Sequence, residues 1–197
     1  MSTTNLFVEL IVIGIGAAAW ASLFLLAALG YDAGLVTRLA KAPAAALPAL
    51  AGVYLLGIVT DRLADTVLHA LRVEGSRKVY FGTEENFLRT RGEVLLRAPY
   101  FATQFDYSRS RQRICRGWIL NAVLIAIAFN VVLLARPELR QSLGRLSAAL
   151  TPAFLLLAAG CWFAWEKLAV TELKRIRDQA ELLKEMGRPP PSSPAVG

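Results

Sequence analysis

The chain has 197 residues, of which 55% are hydrophobic and 19% charged, and it carries a formal net charge of +7. Its apolar residues are gathered into long charge-poor runs instead of being dispersed at helical or strand periods, which argues against an ordinary soluble domain. The excess of basic residues does not require a nucleic-acid partner, and none is expected, because membrane proteins retain Lys and Arg on the cytoplasmic side.

The predicted fold is an all-α integral membrane protein. It comprises a four-transmembrane-helix bundle, a helical cytoplasmic loop between helices 2 and 3, and a helical C-terminal extension. A short N-terminal segment, 1–5, precedes the first span at 6–30, an apolar run interrupted by Glu9 alone. With no Lys or Arg before it, and with more length than a signal-peptide core, the run reads as a retained helix. An external loop is placed at 31–42. The second span with its cytoplasmic extension is placed at 43–68; its apolar run is close to the minimum for crossing a bilayer and contains Pro48 and Gly52.

The cytoplasmic loop covers 69–116. Gly75 and Ser76 suggest a turn and Tyr80 lies in a short apolar stretch, 79–81. Thr83 then looks like an N-cap, with Glu84 and Glu85 favourably placed in the first helical turn. That helix turns Phe87, Leu88, Val94 and Leu95 to a packing face and ends before Pro99. Glu84, Glu85 and Arg89 match the EExxxR element of CPBP-type intramembrane proteases. That family needs two histidine motifs after the element, whereas the single histidine here, His69, precedes it. A second loop helix, 101–115, runs directly into the third span, with Phe101 and Phe105 on one stripe and Arg109, Arg113 and Arg116 on another. With Arg111 these arginines place four guanidiniums within eight residues, suited to bidentate phosphate contact, so anionic lipid headgroups are the expected ligand.

The third span is placed at 117–135, a second external loop at 136–145 and the fourth span at 146–168. In lipid, small residues allow helices to approach closely. The first span offers Gly14, Ala18 and Ser22, the second Gly52 and Gly57, the third Ala122 and Ala126, and the fourth Gly160 and Ala164. Asn121 and Asn130 are costly against lipid and should face a bundle interior or an oligomer interface. Pro152 falls in the first turns of the fourth span as placed. Beyond it, Ala169, Leu173, Ile176, Ala180 and Leu183 follow 4-3-4-3 spacing in a helix at 169–186. This short coiled-coil seam would join protomers or pack on the loop helices. The Pro-rich tail, 187–197, is expected to be disordered.

Orientation follows from counting Lys and Arg. Residues 69–117 hold ten and 166–197 hold six, against two in 31–43 and three in 136–147. The loop and both termini are therefore expected in the cytoplasm, and the Arg- and Ala-rich composition suits a bacterial inner membrane.

Threaded this way, Glu9, Asp61, Arg62, Asp65, Arg113, Arg116, Glu166 and Lys167 gather near one boundary. Asp61, Asp65 and His69, at i, i+4 and i+8, share a helix face. Together with Glu9, Asn121 and Asn130 they are the candidate cluster, either interhelical ion pairs with Arg62, Arg113 and Arg116 or a proton or ion site. Coordination of a divalent metal is the weakest reading, and no metal or other cofactor is expected. Cys115 and Cys161 have no ligand or disulfide spacing. No catalytic signature is present. The expected function is a noncatalytic scaffold or signalling module, a homo-oligomer that engages a cytoplasmic protein partner or anionic lipid. The alternative is an ion channel, pore or proton-pathway subunit, including a membrane-permeabilising effector.

Overall fold

The computed structural model describes residues 3–30, 43–97 and 100–186, with side chains for all of these except 3, 5, 43, 69–78, 100–104 and 184–186. Among the described residues the chain is all-helical. Helix α1 spans Thr3–Leu29. After a single 3-10 turn at Pro43–Ala45 come α2 (Ala46–Phe81), α3 (Glu84–Arg97), α4 (Tyr100–Ala135) and α5 (Pro137–Met186). Four of these, α1, α2, α4 and α5, contain stretches long and apolar enough to cross a membrane. The expectations for 31–42 and 187–197 lie outside the described residues, as does Pro99.

Contacts give each helix its direction. Glu9 meets Arg113 and Asn121 meets Ile13, so α1 and α4 run parallel. Gly14 lies against Val53 and Gly57 against Leu10, so α2 runs antiparallel to α1. Asn130 reaches Thr151 and Gln112 reaches Glu172, so α5 runs antiparallel to α4. The path is up, down, up, down, with the start of α1, all of α3 and the end of α5 at one end. Helix α4 is central: 44% of its apolar stretch is buried, against 11% for α5. The remaining faces expose large apolar side chains, among them Ile15, Leu25, Leu55, Ile127, Leu156 and Phe163.

Close approach of α1 and α2 depends on missing side chains. A Cβ at Gly14 would overlap the Val53 carbonyl, and one at Gly57 would overlap the Leu10 carbonyl. The backbones are thus in direct contact, as small residues permit in apolar surroundings. Gly52 and Gly160 have nothing near them, so of the expected small-residue positions these two do not serve packing within the chain.

Two boundaries differ from expectation, and with them the position of Pro152. The helix of the second span does not turn at Gly75 and Ser76 but continues to Phe81, and the chain turns at Gly82 with φ +72°, a left-handed conformation that glycine adopts without a Cβ clash. The loop expected at 136–145 is helical. Helix α4 ends at Ala135 and α5 starts at Pro137, which suits the first helical position because its missing N–H has no intrahelical partner there. Pro152 consequently stands about four turns inside α5 and not at its beginning, where it removes one backbone hydrogen bond.

At the α3 end a separate core forms. Phe87 and Val94 of α3, Phe105 of α4, and Leu173 and Ile176 of α5 are buried together, with Tyr80, Phe81, Leu95, Ala180 and Leu183 packed around them. Four positions of the 4-3-4-3 seam of the last helix, Leu173, Ile176, Ala180 and Leu183, are therefore packed against helices of the same chain. Thr83 caps α3, its hydroxyl accepting the Asn86 N–H at 3.2 Å, and Glu84, Glu85 and Arg97 sit at the ends the helix dipole favours. Leu88, expected on the packing face, is exposed, because the buried face is centred on Phe87 and Val94.

Candidate functional site

Where the apolar bundle meets the α3 subdomain, α1, α2 and α4 cross around charged side chains. Arg113 of α4 reaches Glu9 of α1, Nη1 to Oε2 at 3.2 Å, and Asp61 of α2, Nε to Oδ2 at 3.6 Å. One turn along α4, Arg116 is paired closely with Asp65 and lies 3.9 Å from Asp61 Oδ1. Two guanidiniums thus bridge three carboxylates from two other helices. The i, i+3 spacing of Arg113 and Arg116 and the i, i+4 spacing of Asp61 and Asp65 put each pair on one helix face, so the two rows meet.

Burial is uneven across this lattice. Glu9 is 3% exposed and Asp61 5%, whereas the Asp65 side chain is 43% exposed. Glu9 Oε1 and Asp61 Oδ1 are buried without a hydrogen-bond partner. Arg62, expected to share in the pairing, is exposed. The backbone of His69 continues α2, but its side chain lies outside the described residues. Among the described residues no group of three His, Cys, Asp or Glu side chains is arranged to hold a metal ion.

The structure does not bring Asn121 and Asn130 into this cluster. Asn121, fully buried, donates through Nδ2 to the Ile13 carbonyl at 2.8 Å and accepts from Trp20 Nε1 at 3.0 Å, tying α4 to α1. Asn130 donates to the Ala126 carbonyl and to Thr151 Oγ1, both at 2.8 Å, and accepts from Ser147 at 3.3 Å, tying α4 to α5. Asn121 is thus bonded only to α1, and Asn130 to α5 and its own turn.

The four arginines near the end of the loop separate as well. Arg113 and Arg116 turn inward to the carboxylates, while Arg109 and Arg111 are exposed. Arg111 lies 4.3 Å from the centre of the Tyr107 ring. A phosphate-binding surface drawn from this set has two outward members and not four.

Two junctions were not legible as sites. Glu172 of α5 accepts from Gln112 at 2.5 Å and from Ser108 at 3.3 Å, a polar clasp between the charged crossing and the α3 core. Ser108 and Gln112 stand i, i+4, a spacing that marks one polar face of α4, but nothing in the sequence pairs that face with Glu172. Leu68, Ile119 and Trp165 form an apolar cluster with Cys115, Cys161 and Trp162 against it; both cysteines are free. Compared with protein families, curated proteins and solved structures, the chain matches none.

Proposed function

We propose that this chain is a noncatalytic four-span protein of a bacterial inner membrane that couples its bundle to a cytoplasmic helical subdomain and engages a protein partner there. The observation that carries this reading is continuity. Helices α2, α4 and α5 run unbroken from the apolar bundle into the subdomain that α3 completes. At about 1.5 Å per residue, the 50 residues of α5 extend roughly 75 Å, far more than a bilayer core of about 30 Å. Arginine–carboxylate pairs join α1, α2 and α4 where they leave the apolar zone, so a displacement on either side is transmitted by rigid elements.

The excess of Lys and Arg in 69–117 and 166–197 supports a cytoplasmic subdomain. Outward Arg109 and Arg111, beside Tyr107, suit the headgroup region of anionic lipid. The ion-pathway alternative rests on the same charged crossing; the occupation of its carboxylates by arginines favours coupling over conduction.

The test uses a photo-crosslinking residue at Leu96, which is 85% exposed on α3, with the full chain in its native membrane. A discrete protein adduct is expected. Lipid adducts alone, together with a solitary monomer by native mass spectrometry in lipid, would overturn the partner reading.

A further inference from the structure

Helix α3 is held on its Phe87 and Val94 side and open on the other. Two rows run along the open side. Leu88, Gly92 and Leu96, at i, i+4 and i+8, form an apolar row. Leu88 is 56% exposed and Leu96 85%, and a Cβ at Gly92 would have nothing within 4 Å. Beside it Glu85, Arg89, Glu93 and Arg97 follow at the same four-residue step, all exposed and alternating in sign. Within the row Arg89 and Glu93 lie 3.4 Å apart, an exposed pair of little strength.

Depth limits what can cover this face. Asp65 of α2 pairs with Arg116 of α4 where the helices leave the apolar zone. From that contact α2 continues unbroken to Phe81 and α4 reaches back unbroken to Tyr100, the same number of residues on each, so both ends of α3 stand at one depth. Helix α3 therefore lies across the other helices. At about 1.5 Å per residue it is roughly 24 Å from the charged crossing, beyond the headgroup layer, so lipid does not cover its outer face. A row alternating in sign is complementary to itself only when reversed. Two copies laid antiparallel oppose Glu85 to Arg97 and Arg89 to Glu93, each pair twice, whereas parallel copies oppose like charges throughout. The same reversal, centred near Gly92, sets Leu88 beside the second copy's Leu96. Two copies in one membrane are related by a twofold axis along the bilayer normal, and a helix lying across that axis meets its mate antiparallel.

We propose that the outer face of α3 is a contact between two copies of this chain, the helices antiparallel about Gly92, with Leu88 against the second copy's Leu96 and Glu85 and Arg89 against its Arg97 and Glu93. This rests on the cytoplasmic, partner-binding reading above and names the partner. Two helix faces of this length bury less surface than a permanent dimer needs, so the copies exchange within the membrane and a thiol on the face stays reactive between encounters.

Disulfide trapping in native membranes tests it, with the full chain in a Cys115→Ser, Cys161→Ser background and copper–phenanthroline as oxidant. Gly92→Cys should give a covalent dimer. Leu88→Cys and Leu96→Cys, on differently tagged chains, should cross-link when expressed together and far less when expressed alone. In the Gly92→Cys chain, Glu85→Arg with Glu93→Arg makes the charged row uniformly basic and should lower the dimer yield by about tenfold. Co-expression with a Gly92→Cys chain carrying Arg89→Glu and Arg97→Glu should restore it. The four charged side chains are exposed, so the fold tolerates these exchanges. Absence of the Gly92→Cys dimer overturns the proposal, as do Leu88→Cys self-dimers in place of the mixed pair, or a yield indifferent to the sign of the row. A Leu96 adduct with a different protein and no cross-link between copies overturns the pairing alone and leaves the partner reading standing; lipid adducts alone overturn both.

Discussion

Asn121 shows how a single polar residue is accommodated in an apolar helix. Its amide bonds to the Ile13 carbonyl and the Trp20 indole, so it satisfies itself while joining two helices. Replacement by leucine keeps the branched shape but leaves the Trp20 N–H without its acceptor. Asn121→Leu should lower stability by about 1–2 kcal/mol, read from unfolding in mixed micelles. Arg113 is a harsher case, since its removal strands two buried carboxylates. Arg113→Ala should cost about 3–5 kcal/mol in the same assay, while Arg111→Ala, at an exposed i, i+4 contact, should change stability by less than about 0.5 kcal/mol. The polarity of these positions was legible in the sequence, but their partners were not. Asn121 and Asp61 both read as buried-polar candidates, and only the crossing of helices sends one to a backbone carbonyl and the other to a guanidinium.

At the level of elements, helix pairs differ in what sets their distance. The α1–α2 contact is set by Gly14 and Gly57, where backbone meets backbone. Gly57→Leu must push the helices apart, and a cost of about 3 kcal/mol or more is expected. Gly160→Leu, which has open space around it, should be tolerated, both variants being read from unfolding in mixed micelles. The α3–α5 contact is instead an interdigitated apolar core centred on Ile176, which is fully buried. Ile176→Ala should cost about 2–5 kcal/mol and release α3, seen as faster amide exchange over 84–97 while the apolar part of α4 stays protected. The heptad-like spacing of the last helix identified its buried face correctly. It did not say what would cover that face, because a 4-3-4-3 seam fits a second copy and a neighbouring helix of the same chain equally well.

For the whole molecule, the antiparallel and parallel contacts put the start of α1, all of α3 and the end of α5 at one end, consistent with an even number of crossings. If that end is cytoplasmic, as the distribution of Lys and Arg implies, a cysteine at Leu88 in a Cys115→Ser, Cys161→Ser background should react with impermeant maleimide in inverted vesicles but not in intact spheroplasts. Labelling in spheroplasts would reverse the orientation while leaving the fold intact. The sequence by itself determined that there are four apolar helices and that charge collects near one end, because span length and hydropathy are local properties that neighbours do not change. Only the tertiary structure decided that α4 is central, that the tail seam is closed within the chain, and that Glu9 and Asp61 meet on one arginine. The reason is geometric. Helical periodicity gives the direction of each side chain about its own axis, whereas a partner depends on which axis lies alongside and at what height, and in apolar surroundings steric fit between small residues settles that choice.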